Sequence, residues 1–212
     1  MMKLLRLSTG GILQNIIATS SWIALYRIIS ELGSDVMAGY TIAIRIVVFV
    51  LLPSWGLSNA ASTLVGQNLG AKQPERAERT VWITAYANMI LLGLVGIVLI
   101  IFPETFIRLF INDPSVIANG SISLRIISIG FVSYALGMVM IQAFNGSGDT
   151  VTPTRINLFC FWLFEIPLAY LLAIVFDLKI YGISIAIVVA ETALMLTAWY
   201  YFRKGKWKLT KV

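Results

Sequence analysis

Two long stretches of the chain, residues 80–103 and 126–148, carry no charge at all. As helices rising 1.5 Å per residue, each is long enough to cross about 30 Å of hydrocarbon. A water-soluble core needs apolar residues spaced periodically around it, but here they run in blocks. Of the 212 residues, 58% are hydrophobic and only 12% charged, whereas a soluble domain carries about 25% charged residues. The pattern predicts an all-α membrane protein with six transmembrane helices, over about residues 11–29, 36–64, 81–102, 116–144, 154–176 and 180–202.

The connections fit these spans. Gly33-Ser34-Asp35 reads as a tight turn and Gly70 to Arg76 as a polar break. Asn112-Asp113-Pro114 starts a new helix, since Pro is tolerated in a first turn, and Thr152-Pro153 starts another with Thr152 as the expected N-cap. Phe102, Phe106, Leu109 and Phe110 form an apolar stripe around Glu104 and Arg108, the pattern of a short amphipathic helix at the membrane interface.

The net charge of +6 lies between the apolar blocks and at the ends, not along one face, which argues against a nucleic-acid partner. One set of loops holds Lys3, Arg6, Lys72, Arg76, Arg79, Arg155, Arg203, Lys204, Lys206, Lys208 and Lys211; the opposite set holds only Arg27, Arg108 and Lys179. The positive-inside rule places the first set, and with it both termini, in the cytoplasm. Gln14, Asn15 and Arg27 make residues 1–28 a poor signal peptide, and no small-x-small cleavage pattern follows. The lone Cys160 excludes an intrachain disulfide, and the lack of His removes many catalytic and metal sites.

Charge within hydrocarbon is costly, on the order of 2.5–3.5 kcal/mol per group. Arg45, Glu165 and Glu191 all fall near mid-bilayer in their spans. Two readings follow: either acid is a proton or cation site modulated by Arg45, or an acid and Arg45 form a structural ion pair, leaving the other acid as the transport candidate. Pro53 and Pro167 interrupt helix hydrogen bonding in the second and fifth spans, as hinges or cavity-lining breaks or as ordinary membrane-helix prolines. The stretch from Gly56 to Gly70 is rich in small and hydroxyl residues; Gly56 and Ala60, four apart, favour close helix packing over substrate lining. Gln142 and Asn145 line a polar cavity or cap a helix end. Gly146-Ser147-Gly148-Asp149 spells the GxGD of intramembrane aspartyl proteases, but such chemistry needs a facing aspartate, and Asp35, Asp113 and Asp177 lie on the opposite side. No enzymatic activity is expected.

Two segments carry a more specific signal: Ala61-Ser-Thr-Leu-Val-Gly-Gln-Asn-Leu-Gly-Ala-Lys-Gln-Pro-Glu-Arg-Ala77 and Gln142-Ala-Phe-Asn-Gly-Ser-Gly-Asp-Thr-Val-Thr-Pro153. Together with Ala38 to Ile46, Leu52 to Leu57 and Arg203-Lys-Gly-Lys-Trp207, they resemble the MATE family of multidrug and toxic-compound extruders. The resemblance runs over nearly the whole chain and is to the second of the family's two six-helix lobes, helices seven to twelve. It implies a half-transporter, a truncated gene product or a separately encoded half, in the plasma (bacterial inner) membrane. It implies a second six-helix lobe as partner, from another chain or a second copy, with membrane lipid around it. It also implies a cationic or amphipathic substrate exchanged for Na+ or H+, with no other cofactor and no metal. The NorM branch carries acids in helices seven and ten; residues 11–29 and 116–144 have none, so the chain looks more like the DinF branch, and no family coupling residue carries over. A lipid-oligosaccharide flippase half and a non-transporting fragment or scaffold subunit are the alternative readings.

Overall fold

A computed structural model describes residues 2–209, with side chains from residue 9 to residue 208. Met1, Lys211 and the side chains of Lys3 and Arg6, which entered the charge argument, lie outside the described residues. The long helices are α1 (Met2–Ser30), α2 (Ser34–Gly70) and α3 (Pro74–Ile101); the short α4 (Pro103–Arg108) follows. Then come α5 (Pro114–Ile129), α6 (Phe131–Gly146), a composite span from Val151 to Val175, and the last long helix, Lys179–Arg203. Among the described residues, five segments are long and apolar enough to cross a membrane singly, and α5 with α6, taken as one bent span, makes a sixth. Large apolar side chains such as Phe49 (73% exposed) and Leu163 (66%) point outward all round. That surface suits lipid and not water, so the chain is a multi-pass membrane protein.

The expected helix starts hold in one place and shift in another. Asp113 caps α5: its Oδ1 accepts from the backbone N–H of Ser115 at 2.8 Å and of Val116 at 3.1 Å, with Pro114 in the first turn. At the next start, the cap is not Thr152. The helix begins at Val151, and Asp149 accepts both the Thr152 N–H (3.0 Å) and its hydroxyl (2.6 Å). The aspartate of the GxGD tetrapeptide is therefore occupied in ordering a helix start. In the expected amphipathic helix, α4 forms; Phe106 of the stripe packs against the core beside buried Pro103 and Ile107, while Phe102, Leu109 and Phe110 stay exposed.

The proline expectations divide. α2 runs unbroken through Pro53, whose ring faces outward. Around Pro167 the fifth span changes register: α7 (Val151–Asn157) passes into a π-helical stretch (Leu158–Glu165), then α8 (Ile166–Tyr170), then a second π stretch (Leu171–Val175). Pro167 has no N–H to offer the usual i−4 carbonyl, and Ile166 donates to Phe161, five residues back. The sharpest break has no proline. α5 and α6 meet at Gly130 with a 55° bend, so the uninterrupted span expected over 116–144 is two helices.

α2 is the hub, packing on α3, α5 and α6, while the last helix, α9 (Lys179–Arg203), packs on α5 and α6. Close approach uses glycines other than the expected Gly56, which meets nothing within 4 Å; Ala60 is exposed too. A Cβ on Gly39 would sit 2.6 Å from the Val116 carbonyl oxygen of α5, and one on Gly146 would overlap the Ser62 backbone of α2. Two apolar clusters form the ends of the bundle. One gathers Leu25, Ile29, Tyr40 and Leu124; the other gathers Val65, Val81, Phe144 and Phe202. The second is closed by the tail: Gly205 at φ +69° reverses the chain, and buried Trp207 stacks on Phe202 with centroids 4.8 Å apart. Trp207 Nε1 donates to the Phe202 carbonyl, and Lys208 pairs with Glu78 of α3. α1 leans mainly on α7 and the π stretch after it and touches α2 only lightly. Between α1, α2 and α6 the bundle stays open.

Candidate functional site

That opening is a cavity of about 1000 Å³ between the two apolar clusters. Its walls come from α1 (Gln14, Trp22), α2 (Trp55, Asn59), α6 (Tyr134, Gln142, Asn145), the fifth span (Asn157, Phe161) and α9 (Glu191). Helical spacing explains why these residues meet. Gln14, Ala18 and Trp22 recur at four-residue steps along α1, as do Trp55 and Asn59 on α2, and Tyr134, Met138 and Gln142 on α6, so each helix presents one stripe to the opening.

Four amides tie three helices together along one wall. Gln14 Nε2 donates to Asn145 Oδ1 (3.1 Å) and to the Thr150 carbonyl (3.3 Å). Asn145 Nδ2 donates back to Gln14 Oε1 (3.2 Å) and to Gln142 Oε1 (2.8 Å). Gln142 Nε2 then donates to Asn59 Oδ1 of α2 (2.5 Å). Of the two readings for Gln142 and Asn145, both line the cavity, and neither caps a helix. Two more polar groups at the cavity, Ser58 Oγ and Asn157 Oδ1, are buried without a hydrogen-bond partner. Unpaired buried polar atoms are costly, so these two are available to a ligand or water.

A second, smaller space of about 50 Å³ lies against Gly130, where α5 turns into α6. Tyr40, Phe131, Tyr134, Glu165 and Glu191 face it. The structure thus brings together the two acids singled out in the sequence. Glu165 is 3% exposed and its Oε2 has no hydrogen-bond partner. It sits at the end of the first π stretch, one residue before α8, so the altered register sets its direction. π-type irregularities of this kind recur at functional sites.

Arg45 is not with them. On α2, Ala43, Ile44, Ile46 and Val47 turn into the bundle, while Arg45 is exposed on the outer face and forms no ion pair among the described residues. The expected ion pair with Glu165 or Glu191 is therefore corrected: the helical phase that buries its neighbours points Arg45 away from both acids. Pro53 is likewise outside both cavities, and Pro167 shapes the fifth span without lining either.

Residues 11–171 match the family described as MatE, well over half of the chain. The chain belongs to the MatE family. Among curated MatE relatives it is similar to the probable multidrug resistance protein NorM of Thermotoga maritima, 26% identical over 97% of this chain and 44% of that protein. It is also similar to the probable multidrug resistance protein YoeA of Bacillus subtilis, 25% identical over 99% of this chain and 46% of that one. The chain spans about half the length of the curated relatives it matches. Its fold superposes on the solved MATE transporter ClbM in complex with Rb+ with a TM-score of 0.91, at 21% identity, covering 100% of this chain and 50% of that one.

The walls of the two cavities combine residues the sequence pointed to with residues it passed over. Glu165, Glu191, Gln142 and Asn145 were legible as polar groups in apolar spans. Trp22, Trp55, Tyr134 and Asn157 were not. Gln14 did leave a signal, since with Asn15 it interrupts the apolar residues of α1.

Proposed function

We propose that this chain is the second, C-terminal six-helix lobe of a multidrug efflux antiporter of the DinF type. In this reading the open cavity is its half of the substrate cleft, and a second six-helix lobe is needed for alternating access. The observation that carries the reading is the cavity itself. It is walled by Trp22, Trp55, Tyr134 and Phe161, studded with amides, and has Glu191 as its one carboxylate among the described residues. Aromatic faces attract cations, and a carboxylate in a half-apolar wall favours a positive ligand over a neutral one. The names of the T. maritima and B. subtilis relatives support multidrug efflux, and the described Rb+ complex of ClbM supports a monovalent coupling ion, Na+ or H+. The DinF assignment is supported by the absence of Asp or Glu from residues 11–29 and 116–144.

The loop charges support cytoplasmic termini, and the bacterial relatives support the inner membrane as location. The flippase alternative calls for a basic cavity, and among the described residues no Lys or Arg lines this one, so no observation favours it. The test is ethidium efflux from cells lacking their own pumps, with the chain confirmed in the membrane fraction. It is run with the chain alone and with a compatible first lobe supplied in trans. Efflux in either condition that is lost on Asn145→Leu, which fills the amide wall, supports the reading. No efflux in both conditions, together with no ethidium binding by the purified chain, contradicts it.

A further inference from the structure

We propose that Glu165 and Glu191 together hold one monovalent cation, a proton or a sodium ion, in the small space beside Gly130. Because Glu191 also faces the open cavity, occupancy of this site competes with a cationic ligand there. The competition rests on the cavity being the substrate cleft; the cation site itself does not.

Four observations support it. The two acids face the same small space, and no Lys or Arg among the described residues lines it. The titratable groups facing it are Tyr40 from α2, Tyr134 from α6, Glu165 from the fifth span and Glu191 from α9; α1 contributes Trp22 and Leu25, and α5 contributes Ile127. Two carboxylates in a water-poor pocket need a balancing positive charge, as a shared proton or a bound ion. Arg45 of α2 and Arg125 of α5, basic residues within the apolar spans, both point outward.

The second observation is an unused ligand atom: Glu165 Oε2 is buried with no partner. Satisfied buried oxygens are the rule, so an orphan carboxylate oxygen facing a cavity marks a place for a proton or cation. Third, the space is of the right size. At about 50 Å³ it exceeds the roughly 10–15 Å³ that one water needs, and it is too small for an organic cation.

The fourth observation is the shared wall. Trp22, Tyr134 and Glu191 face both spaces, but Glu165 faces only the small one. Glu191 therefore stands between the two, and its single negative charge serves either the small cation or a ligand in the open cavity. A ligand that draws on Glu191 weakens the hold on the small cation, and the reverse follows by linkage.

The experiment uses the full chain purified in detergent with ethidium as the probe. Ethidium affinity is measured against NaCl, with choline chloride holding ionic strength, and separately against pH at fixed sodium. One of the two cations is expected to weaken ethidium binding by about 5- to 150-fold, the usual range of coupling between sites. Weakening by sodium at fixed pH identifies a sodium site; weakening by acid alone identifies a proton site. Glu165→Gln is expected to keep ethidium affinity and lose the cation effect. Glu191→Gln is expected to lose much of the ethidium affinity itself. A Glu165→Gln variant that keeps the full cation effect overturns the proposal, as does a wild type insensitive to both cations.

If the wild type binds no ethidium, the substrate reading fails and the cation site is judged alone. Radioactive sodium binding, or the infrared band of a protonated carboxyl group, should then be present in wild type and lost in each variant. Its absence from wild type, or its survival in both variants, overturns the site. Should one variant fail to fold, the other decides, since either removes one of the two carboxylates.

Discussion

Asn145 is the residue on which the amide wall turns, because it alone bonds to both Gln14 and Gln142. Gln14 is buried at 7% exposure, so removing its partner strands part of a buried amide. Asn145→Ala should cost about 1–3 kcal/mol, the range for an orphaned buried polar group, while Asn59→Ala, at the exposed end of the chain of bonds, should cost less. Thermal unfolding in detergent of the two variants gives the comparison, and equal losses would mean the bonds do not act as a chain. Arg45 is the opposite case. A mid-span arginine with two acids in reach by sequence looks like half of a buried pair, whose loss would lower folded yield more than either acid-to-amide change. Exposed on the outer face without an ion-pair partner among the described residues, Arg45→Ala should not destabilise the fold, since an arginine facing hydrocarbon costs stability and does not contribute it. A loss of folded yield larger than that of Glu165→Gln, compared by size exclusion, would reinstate the pair.

At the scale of the element, the fifth span and the α5–α6 pair do different things with the same problem. A transmembrane helix aims its side chains at fixed 100° steps, and a functional group that falls between steps needs an irregularity to turn it. In the fifth span Pro167 supplies it by withholding an N–H, and the π register ends at Glu165. Pro167→Ala restores the donor and should let the span relax toward regular α register. It is therefore expected to raise the melting temperature in detergent while reducing the cation effect on ethidium binding, because Glu165 turns away from the small space. A cation effect unchanged in this variant would show that the register does not depend on the proline. The break at Gly130 arises from packing instead. Gly130 sits at φ −76° and ψ −7°, turned away from the α-helical ψ of about −42°, and a Cβ there would press within 3.3 Å of Val188 on α9. The one local sign of the bend is the glycine itself, and its close approach to α9 is set by the contact between helices.

For the whole molecule, the loop charges make the orientation testable. Cysteine introduced at Ser34, in the turn before α2, should react with a membrane-impermeant maleimide on intact cells, in a Cys160→Ser background. Cysteine at Gln73, between α2 and α3, should react only after the cells are opened. The reverse pattern would invert the topology. Hydropathy made the membrane character and the apolar spans legible, and the signature segments made the family so, because each depends on residues contiguous in sequence. The lone acids at 165 and 191 were legible too, since an ionisable group in an apolar run stands out wherever it ends up. Which of these groups meet was decided only by the tertiary structure. Arg45 and Glu165 lie at similar depth, and depth is all that position along a span gives. The rotation of each helix about its axis, a few tens of degrees set by packing against its neighbours, put Arg45 outside and both acids on one small space. The bend at Gly130 and the opening beside α1 have the same origin, in contacts between residues far apart in the chain.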